Sequence, residues 1–327
     1  MAASYCNQPG YAVISGFTDP NDERQTPQIL VFYNTANSNL AVQLWRGDKS
    51  SSKDDEDVFC AKSDDRVGFV SYLTDLAAAA LSGTNVVVGF TEAAPADGCQ
   101  SSVHKVSILS PVYQTLDDTD IKNTSISIAS SNPLAVSNDD DDAWVYYLKT
   151  NSHNKLSIYE YSLGDSAAAP LGANPTLGSS LAAYWDGSTR WVIYQGSADG
   201  DNDYQLFEHD PGSDSDTKIA GTGGGGTNCR IAVAYDAGSQ TTYLYFTTEN
   251  GDIFRSIKDG KTNRWKSSAT QISDDAKSKV ANGSQLAAIY SGGVVHLFFA
   301  NKAGSFKGHV VDTLSQKAER RDTGISS

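Results

Sequence analysis

Six times along this chain, alanine takes the second place of a short apolar strand, and a strand crowded with large side chains follows each time. The alanine-centred strands are Tyr11-Ala-Val-Ile-Ser15, Leu76-Ala-Ala-Ala-Ala80, Leu134-Ala-Val-Ser-Asn138, Leu181-Ala-Ala-Tyr-Trp185, Ile231-Ala-Val-Ala-Tyr235 and Leu286-Ala-Ala-Ile-Tyr290. Their partners run over 29–33, 86–90, 144–148, 191–195, 243–247 and 296–300. A supersecondary unit repeated in this way buries its apolar face only by stacking on its neighbours. The second-place alanines, residues 12, 77, 135, 182, 232 and 287, are 65, 58, 47, 50 and 55 positions apart, which suits a four-stranded blade with loops of varying length. Third strands follow over 40–45, 105–109, 156–161, 204–209, 252–257 and 305–310, and Arg264 to Ser268 is the clearest fourth strand.

Side-chain size selects the architecture. Blades set round an axis converge like wedges, so the innermost strand has room only for small residues, and alanine fits there. Farther out the gap widens, and residues such as Phe32, Tyr146, Tyr147, Ile193, Tyr245, Phe298 and Phe299 fill it at interior packing density. A β-sandwich has no such gradient from small to large. The expected fold is all-β, a six-bladed β-propeller of four-stranded antiparallel blades. Because the repeat runs from Tyr11 past Phe299, one domain spanning 1–327 is expected.

A net charge of −14 without any Lys/Arg cluster repels phosphate backbones and anionic lipid heads, so neither nucleic acid nor a membrane surface is an expected partner. No stretch approaches the roughly 20 apolar residues of a membrane helix. Residues 1–6 lack a basic start and an apolar run, and a cytoplasmic location is the expectation. Cys6, Cys60, Cys99 and Cys229 form no Cys-x-x-Cys pair and read as buried thiols, while Asn123-Thr-Ser and Asn282-Gly-Ser have the form of glycosylation sequons.

Catalytic and cofactor signatures are sparse. The histidines at 104, 153, 209, 296 and 309 show no zinc spacing, and there is no Gly-x-Ser-x-Gly elbow, dinucleotide fingerprint or P-loop. No metal and no cofactor are expected. Asp199-Gly-Asp-Asn-Asp203 has the alternating aspartates of a calcium loop, but Tyr204 stands where its sharp turn needs glycine, and the segment reads as a solvated turn. The acidic runs 53–57 and 138–142 read as solvated loops, and Gly221 to Gly226 as a flexible connector.

The Leu-Ala-Ala-x-aromatic strand, the Val-Tyr-Tyr-type strand and a third strand ending Ile-x-Glu together resemble the fungal fucose-binding lectins, which are six-bladed propellers. The resemblance implies a sugar site built from an arginine on the second strand, a glutamate on the third and a tryptophan from the next blade. Here the arginine position holds Leu30, Val86, Trp144, Trp191, Tyr243 and His296, and Arg190 lies one residue early, on the opposite side of its strand. Glu160 and Glu208 match the glutamate position, whereas blade five has Arg255 and blade six Gly308; Trp265 is the one good outer-strand tryptophan. No blade holds the complete triad.

The chain also looks like the small fungal hetero-Diels–Alderases, which join a tropolone-derived o-quinone methide to humulene-type terpenes. That resemblance implies an enzyme of secondary metabolism with apolar small-molecule substrates, held face to face in a dry pocket. The fifth inner-strand positions, Ser15, Ala80, Asn138, Trp185, Tyr235 and Tyr290, are expected at one mouth of the central channel, together with Asp139, Asp186, Asp236 and Ser291. The second strands begin at the same rim. Tyr235, Tyr290 and His296 are the candidate catalytic donors, with Asn138, Trp144, Trp185, Asp186, Trp191, Asp236 and Tyr243 forming the pocket. The opposite face would offer Asp75, Asn132, Arg230 and Gln285 with Glu92, Gln195 and Glu249. A fucose-type lectin and a non-catalytic interaction propeller are the alternatives, and the oligomeric state stays open.

Overall fold

A computed structural model describes residues 10–15, 28–34, 40–46, 49–50, 56–59, 69–70, 74–92, 103–122, 132–139, 141–150, 155–197, 204–227, 229–273, 275–303 and 308–314. They form six antiparallel sheets, each a blade, with order running outward from an alanine-centred strand. The inner strands are Tyr11–Ser15, Leu76–Leu81, Leu134–Asn138, Leu181–Trp185, Ile231–Asp236 and Ala287–Ser291. Each touches the next, and the last touches the first, so the ring closes. Among the described residues there is no helix, and so none long and apolar enough to cross a membrane. The propeller expected from the alanine recurrence is the architecture observed.

The wedge argument holds in detail. The six second-place alanines are between 4% and 7% exposed. Their cross-strand partners are larger: Phe32, Val88, Tyr146, Ile193, Tyr245 and Phe298. The core accordingly divides into six clusters of buried side chains, one in each seam between adjacent blades. Alternation along a strand explains this: residues of one parity face the following blade and those of the other parity face the preceding one.

The outer strands vary. Blades three and four have four strands, ending in Ala167–Pro170 and Ser215–Lys218. In blade five the expected fourth strand is only Arg264–Trp265, and Thr270–Gln271 makes a second short pairing with the same third strand. Blade two has an extra piece, Phe69–Val70, which continues the inner edge of its sheet along Thr91 and Glu92. Blade six has three strands among the described residues.

Blade six also corrects the expected register. Its third strand is Gly308–Asp312, and His309, not Gly308, lies opposite Phe298. In blades three and four that place opposite the large second-strand residue belongs to Glu160 and Glu208. A shift of one residue turns every side chain to the other face, so the glutamate place of blade six holds histidine.

At the ends of the inner strands opposite the aromatic rim, Gln285 of blade six crosses to two other blades. Its Oε1 accepts the backbone N–H groups of Tyr11 (2.6 Å) and Leu76 (2.9 Å), and its Nε2 donates to the Leu76 carbonyl (2.7 Å). The amide thereby ties blades six, one and two together at the axis.

Candidate functional site: the seams between blades

The glutamate place on each third strand points at the following blade; in blades three, four and five it holds one member of an acid–base pair, and a further pair between blades two and three uses Asp117, farther out in blade two. Between blades three and four, Arg190 meets Glu160 through two bonds, Nε to Oε2 at 2.8 Å and Nη2 to Oε1 at 3.1 Å. The guanidinium lies 5.0 Å over the ring of Trp144, which stacks on Trp185 at 6.0 Å. Burial works against the Arg190 charge, but the bonds and charge of Glu160 hold its pKa above the ordinary value. Arg190 does face away from its own blade's arginine position, as its parity requires. The consequence missed in the sequence is that this direction brings it onto the glutamate of the preceding blade.

Between blades four and five the pair lies deeper. Glu208 accepts from the Tyr184 hydroxyl at 2.6 Å, from Lys258 Nζ at 2.9 Å and from Trp265 Nε1 at 3.2 Å. Both charged side chains are almost wholly buried, Lys258 at 4% and Glu208 at 2% exposed. Lys258 Nζ also sits 4.0 Å over the Trp191 ring. Burial, then the Glu208 charge, pushes the Tyr184 hydroxyl well above its usual pKa, so it stays a donor.

Above this pair a cleft of about 290 Å³ opens at the rim, lined by Asp186, Trp191, Tyr235, Gln240, Lys258 and Asn263 among others. Asp186 organises it. One carboxylate oxygen accepts Trp191 Nε1 at 2.7 Å, and the other accepts the N–H groups of Ser188 (2.9 Å) and Thr189 (2.8 Å). The turn that aims those amides inward passes through Gly187 at φ +94°, a left-handed conformation that glycine adopts freely. Although burial raises the Asp186 pKa, these bonds more than offset it and hold the carboxyl below its ordinary value. Tyr235 donates to the Asp186 carbonyl at 2.8 Å and stacks on Tyr184.

The remaining seams differ again. Between blades five and six, Arg255 Nη1 reaches both oxygens of Asp312 at 2.7 Å, and the Tyr245 hydroxyl donates to the same carboxylate at 2.9 Å. Tyr243 and Tyr290 stack at 6.1 Å on its rim side. Between blades six and one, His296 Nδ1 and His309 Nε2 are 3.1 Å apart, with Trp45 4.5 Å from the His309 ring. Between blades two and three, Asp117 accepts from the Tyr147 hydroxyl (2.6 Å) and Lys149 (3.0 Å). The described core of the first seam is apolar, built of residues such as Ile14, Phe32, Leu40 and Leu109.

The residues expected at one channel mouth are therefore spread over successive seams. Trp144 and Trp185 meet in the third seam, Asp186, Trp191 and Tyr235 in the fourth, and Tyr243 and Tyr290 in the fifth, where Asp236 hydrogen-bonds Tyr290. His296 belongs to the sixth, and Asn138 Nδ2 bonds the Ala80 carbonyl of blade two at 2.7 Å. Parity is the cause: second-strand aromatics face the following blade and fifth-place inner residues the preceding one, so each pair closes a seam.

The third residue of each inner strand has the same parity as the fifth. Val13, Ala78, Val136, Ala183, Val233 and Ala288 are partly buried, and each packs against the seam with the preceding blade. At the opposite face Asp75, Arg230 and Gln285 are buried, and the Glu92 side chain lies outside the described residues. Also outside them are Asp199–Asp203, the sequon at Asn123, and Cys6, Cys60 and Cys99; Cys229 is buried, which pushes its thiol up to about 12.

Lys258, Tyr184 and Asp312 were not legible as site residues. Lys258 stands three places after Arg255 and hence on the other face of the same strand, so only the two-residue period, applied toward the preceding blade, signals its meeting with Glu208.

No family model matches the sequence, and no curated protein matches it. Solved structures do. A variant of the Aleuria aurantia lectin in complex with alpha-methyl-L-fucoside is similar at a TM-score of 0.63 and 16% identity, covering 96% of this chain and 98% of that one. AofleA from Arthrobotrys oligospora is similar at 0.60 and 13%, covering 99% and 88%. The SapL1 lectin in complex with alpha methyl fucoside is similar at 0.56 and 14%, covering 94% and 92%. Identities this low carry the fold alone: the chain is a six-bladed propeller of the architecture found in these fungal-type lectins.

Proposed function

We propose that the protein binds carbohydrate, in the cleft between blades four and five. The observation that carries this reading is the juxtaposition there of the Trp191 indole, the ionised Asp186 carboxylate and the Lys258 ammonium in a 290 Å³ opening. An indole covers the apolar face of a sugar, while a carboxylate and amides such as those of Gln240 and Asn263 match hydroxyls that both donate and accept. The volume suits a monosaccharide, since drug-sized ligands occupy about 300–1,000 Å³. Two of the similar lectins hold alpha-methyl fucoside, which supports the ligand class. The fucose itself does not transfer, because Lys258, Tyr184 and Trp265 already occupy Glu208.

The test is a glycan array followed by calorimetry on the best ligand. Trp191→Ala is expected to weaken binding by about tenfold or more, the equivalent of losing roughly one aromatic contact. An array with no bound glycan, or an affinity unchanged in that variant, would remove the proposal.

A second reading rests on the aromatic stacks of Trp144 on Trp185 and Tyr243 on Tyr290: a hetero-Diels–Alderase joining a tropolone o-quinone methide to a humulene-type terpene. Burial first, and neighbouring aspartates second, raise the Tyr235 and Tyr290 pKa values. Raised pKa values keep both hydroxyls protonated at neutral pH, which suits hydrogen bonding to a heterodiene carbonyl better than proton transfer. Incubation with a tropolone quinone-methide precursor and humulene that leaves rate and stereochemistry as in buffer would eliminate it.

A further inference from the structure

We infer that a second ligand site, for a small neutral polyol, lies at the opposite end of the propeller, between blades five and six. A cavity of about 240 Å³ opens there, where inner strands begin and second strands end. Arg230, Thr248, Glu249 and Asn282 supply its polar groups, and Val280 and Ala281 its apolar wall.

The walls are held in place before any ligand arrives. Thr247 N donates to the Arg230 carbonyl at 3.0 Å, and Arg230 N to Thr247 Oγ1 at 2.9 Å. On the blade-six side, Val280 N bonds the Gly251 carbonyl at 2.9 Å and Ala281 N the Ala300 carbonyl at 2.8 Å. Gly251, at φ +74°, lets the chain pass so close that a side chain there would run into the Val280 carbonyl. A pre-formed cavity of this kind is what small-molecule sites share.

Thr248 supplies the second, independent observation. Its Oγ1 is sealed from solvent and has no hydrogen-bond partner among the described residues. A buried hydroxyl left unpaired is costly, and because Thr248 itself lines the cavity and is only partly buried, rotation to another staggered rotamer would bring the hydroxyl to a ligand's.

The donor set defines the ligand class. Arginine only donates, an ionised glutamate only accepts, and threonine and asparagine do both, which matches hydroxyls on adjacent carbons. A cation and an anion in one small cavity give no preference for a charged ligand, and the net charge of −14 disfavours anions. None of the lining residues is aromatic, so a flat aromatic ligand has no ring to stack on. The cleft at Trp191 lies at the other end of the blades, where inner strands finish, so a chain with both sites is bivalent and can bridge two glycans. The bridging rests on the carbohydrate reading of that cleft; the second site does not.

Calorimetric titration with L-fucose, D-mannose, D-galactose, N-acetylglucosamine and D-mannitol tests the site, using Thr248→Val, Ala281→Trp and Trp191→Ala. Thr248→Val removes the unpaired hydroxyl with little change of shape, and Ala281→Trp fills the cavity. Both are expected to weaken binding of at least one probe tenfold or more, with Trp191→Ala leaving that binding intact. Thr248→Val is also expected to leave thermal stability of the free protein equal or higher, which separates lost binding from lost folding. Binding abolished by Trp191→Ala but untouched by both other variants overturns the second site and leaves the carbohydrate reading standing. Loss of one probe in Thr248→Val and Ala281→Trp, with no probe responding to Trp191→Ala, supports the second site and overturns that reading, and no binding of any probe overturns the second site.

Discussion

Replacing Lys258 by methionine is expected to lower the free energy of unfolding by about 3–5 kcal/mol, the cost of leaving one member of a buried ion pair without the other. The carboxylate stranded by this change is that of Glu208, 2% exposed and walled in by Tyr184 and Trp265. Two neutral donors would remain to it, and both are weaker partners than an ammonium at 2.9 Å. The methionine chain still fills the space beneath Trp191, so packing loss is a small part of the effect. Removing the charge on both sides separates the causes. A Glu208→Gln, Lys258→Met double variant is expected to recover most of the loss, because no ion is then buried alone. Urea unfolding followed by circular dichroism measures both. A single-variant loss below about 1 kcal/mol, the size typical of an exposed pair, would mean that water reaches the seam.

Gln285→Leu is expected to cost at least as much, about 3–9 kcal/mol. Leucine approximates the volume but leaves the N–H groups of Tyr11 and Leu76 and the Leu76 carbonyl buried without their partner. Each such group costs about 1–3 kcal/mol. The location makes the loss unusual, since one side chain of the last blade holds the first strand of blade one and of blade two. Amide hydrogen exchange should show it locally, with faster exchange at Tyr11 and Leu76 than in the inner strands of blades three to five. Unchanged protection at those two amides would show that ring closure depends on the seams and not on this amide.

Much of the fold was legible because its cause is local. The alternation of Ala12, Val13 and Ile14, or of Ala182, Ala183 and Tyr184, carries the two-residue period of a strand, and the alanine at the second place carries the wedge. The outer strands were less so. Arg264–Trp265 and Thr270–Gln271 have two residues each, too few for a period to be visible, and their pairing depends on the third strand beside them. Register in blade six is set by tertiary pairing for a related reason: no bulky alternation marks Gly308 and His309, so only the pairing with Phe298 and Phe299 decides which faces the seam.

The candidate site was legible as a set of residue types and illegible as a set of contacts. No blade by itself holds a complete sugar triad of arginine, glutamate and tryptophan. Arg190 with Glu160, Lys258 with Glu208 and Arg255 with Asp312 are 30, 50 and 57 residues apart in sequence, and each pair joins two blades. Trp185 and Tyr290, expected to share one channel mouth, stack on Trp144 and Tyr243 in separate seams.

The chain's own order of residues determined that there would be blades, how many, and that small side chains would occupy the narrow inner part of each seam, since strand period and side-chain volume act between near neighbours. Which charge meets which, where Asp186 and Trp191 open a cleft, and that Gln285 closes the ring were decided only in the tertiary structure. The physical reason is that the functional groups lie on the faces between blades. A face acquires its chemistry from two strands that the sequence keeps far apart and only the closed ring brings within hydrogen-bond distance.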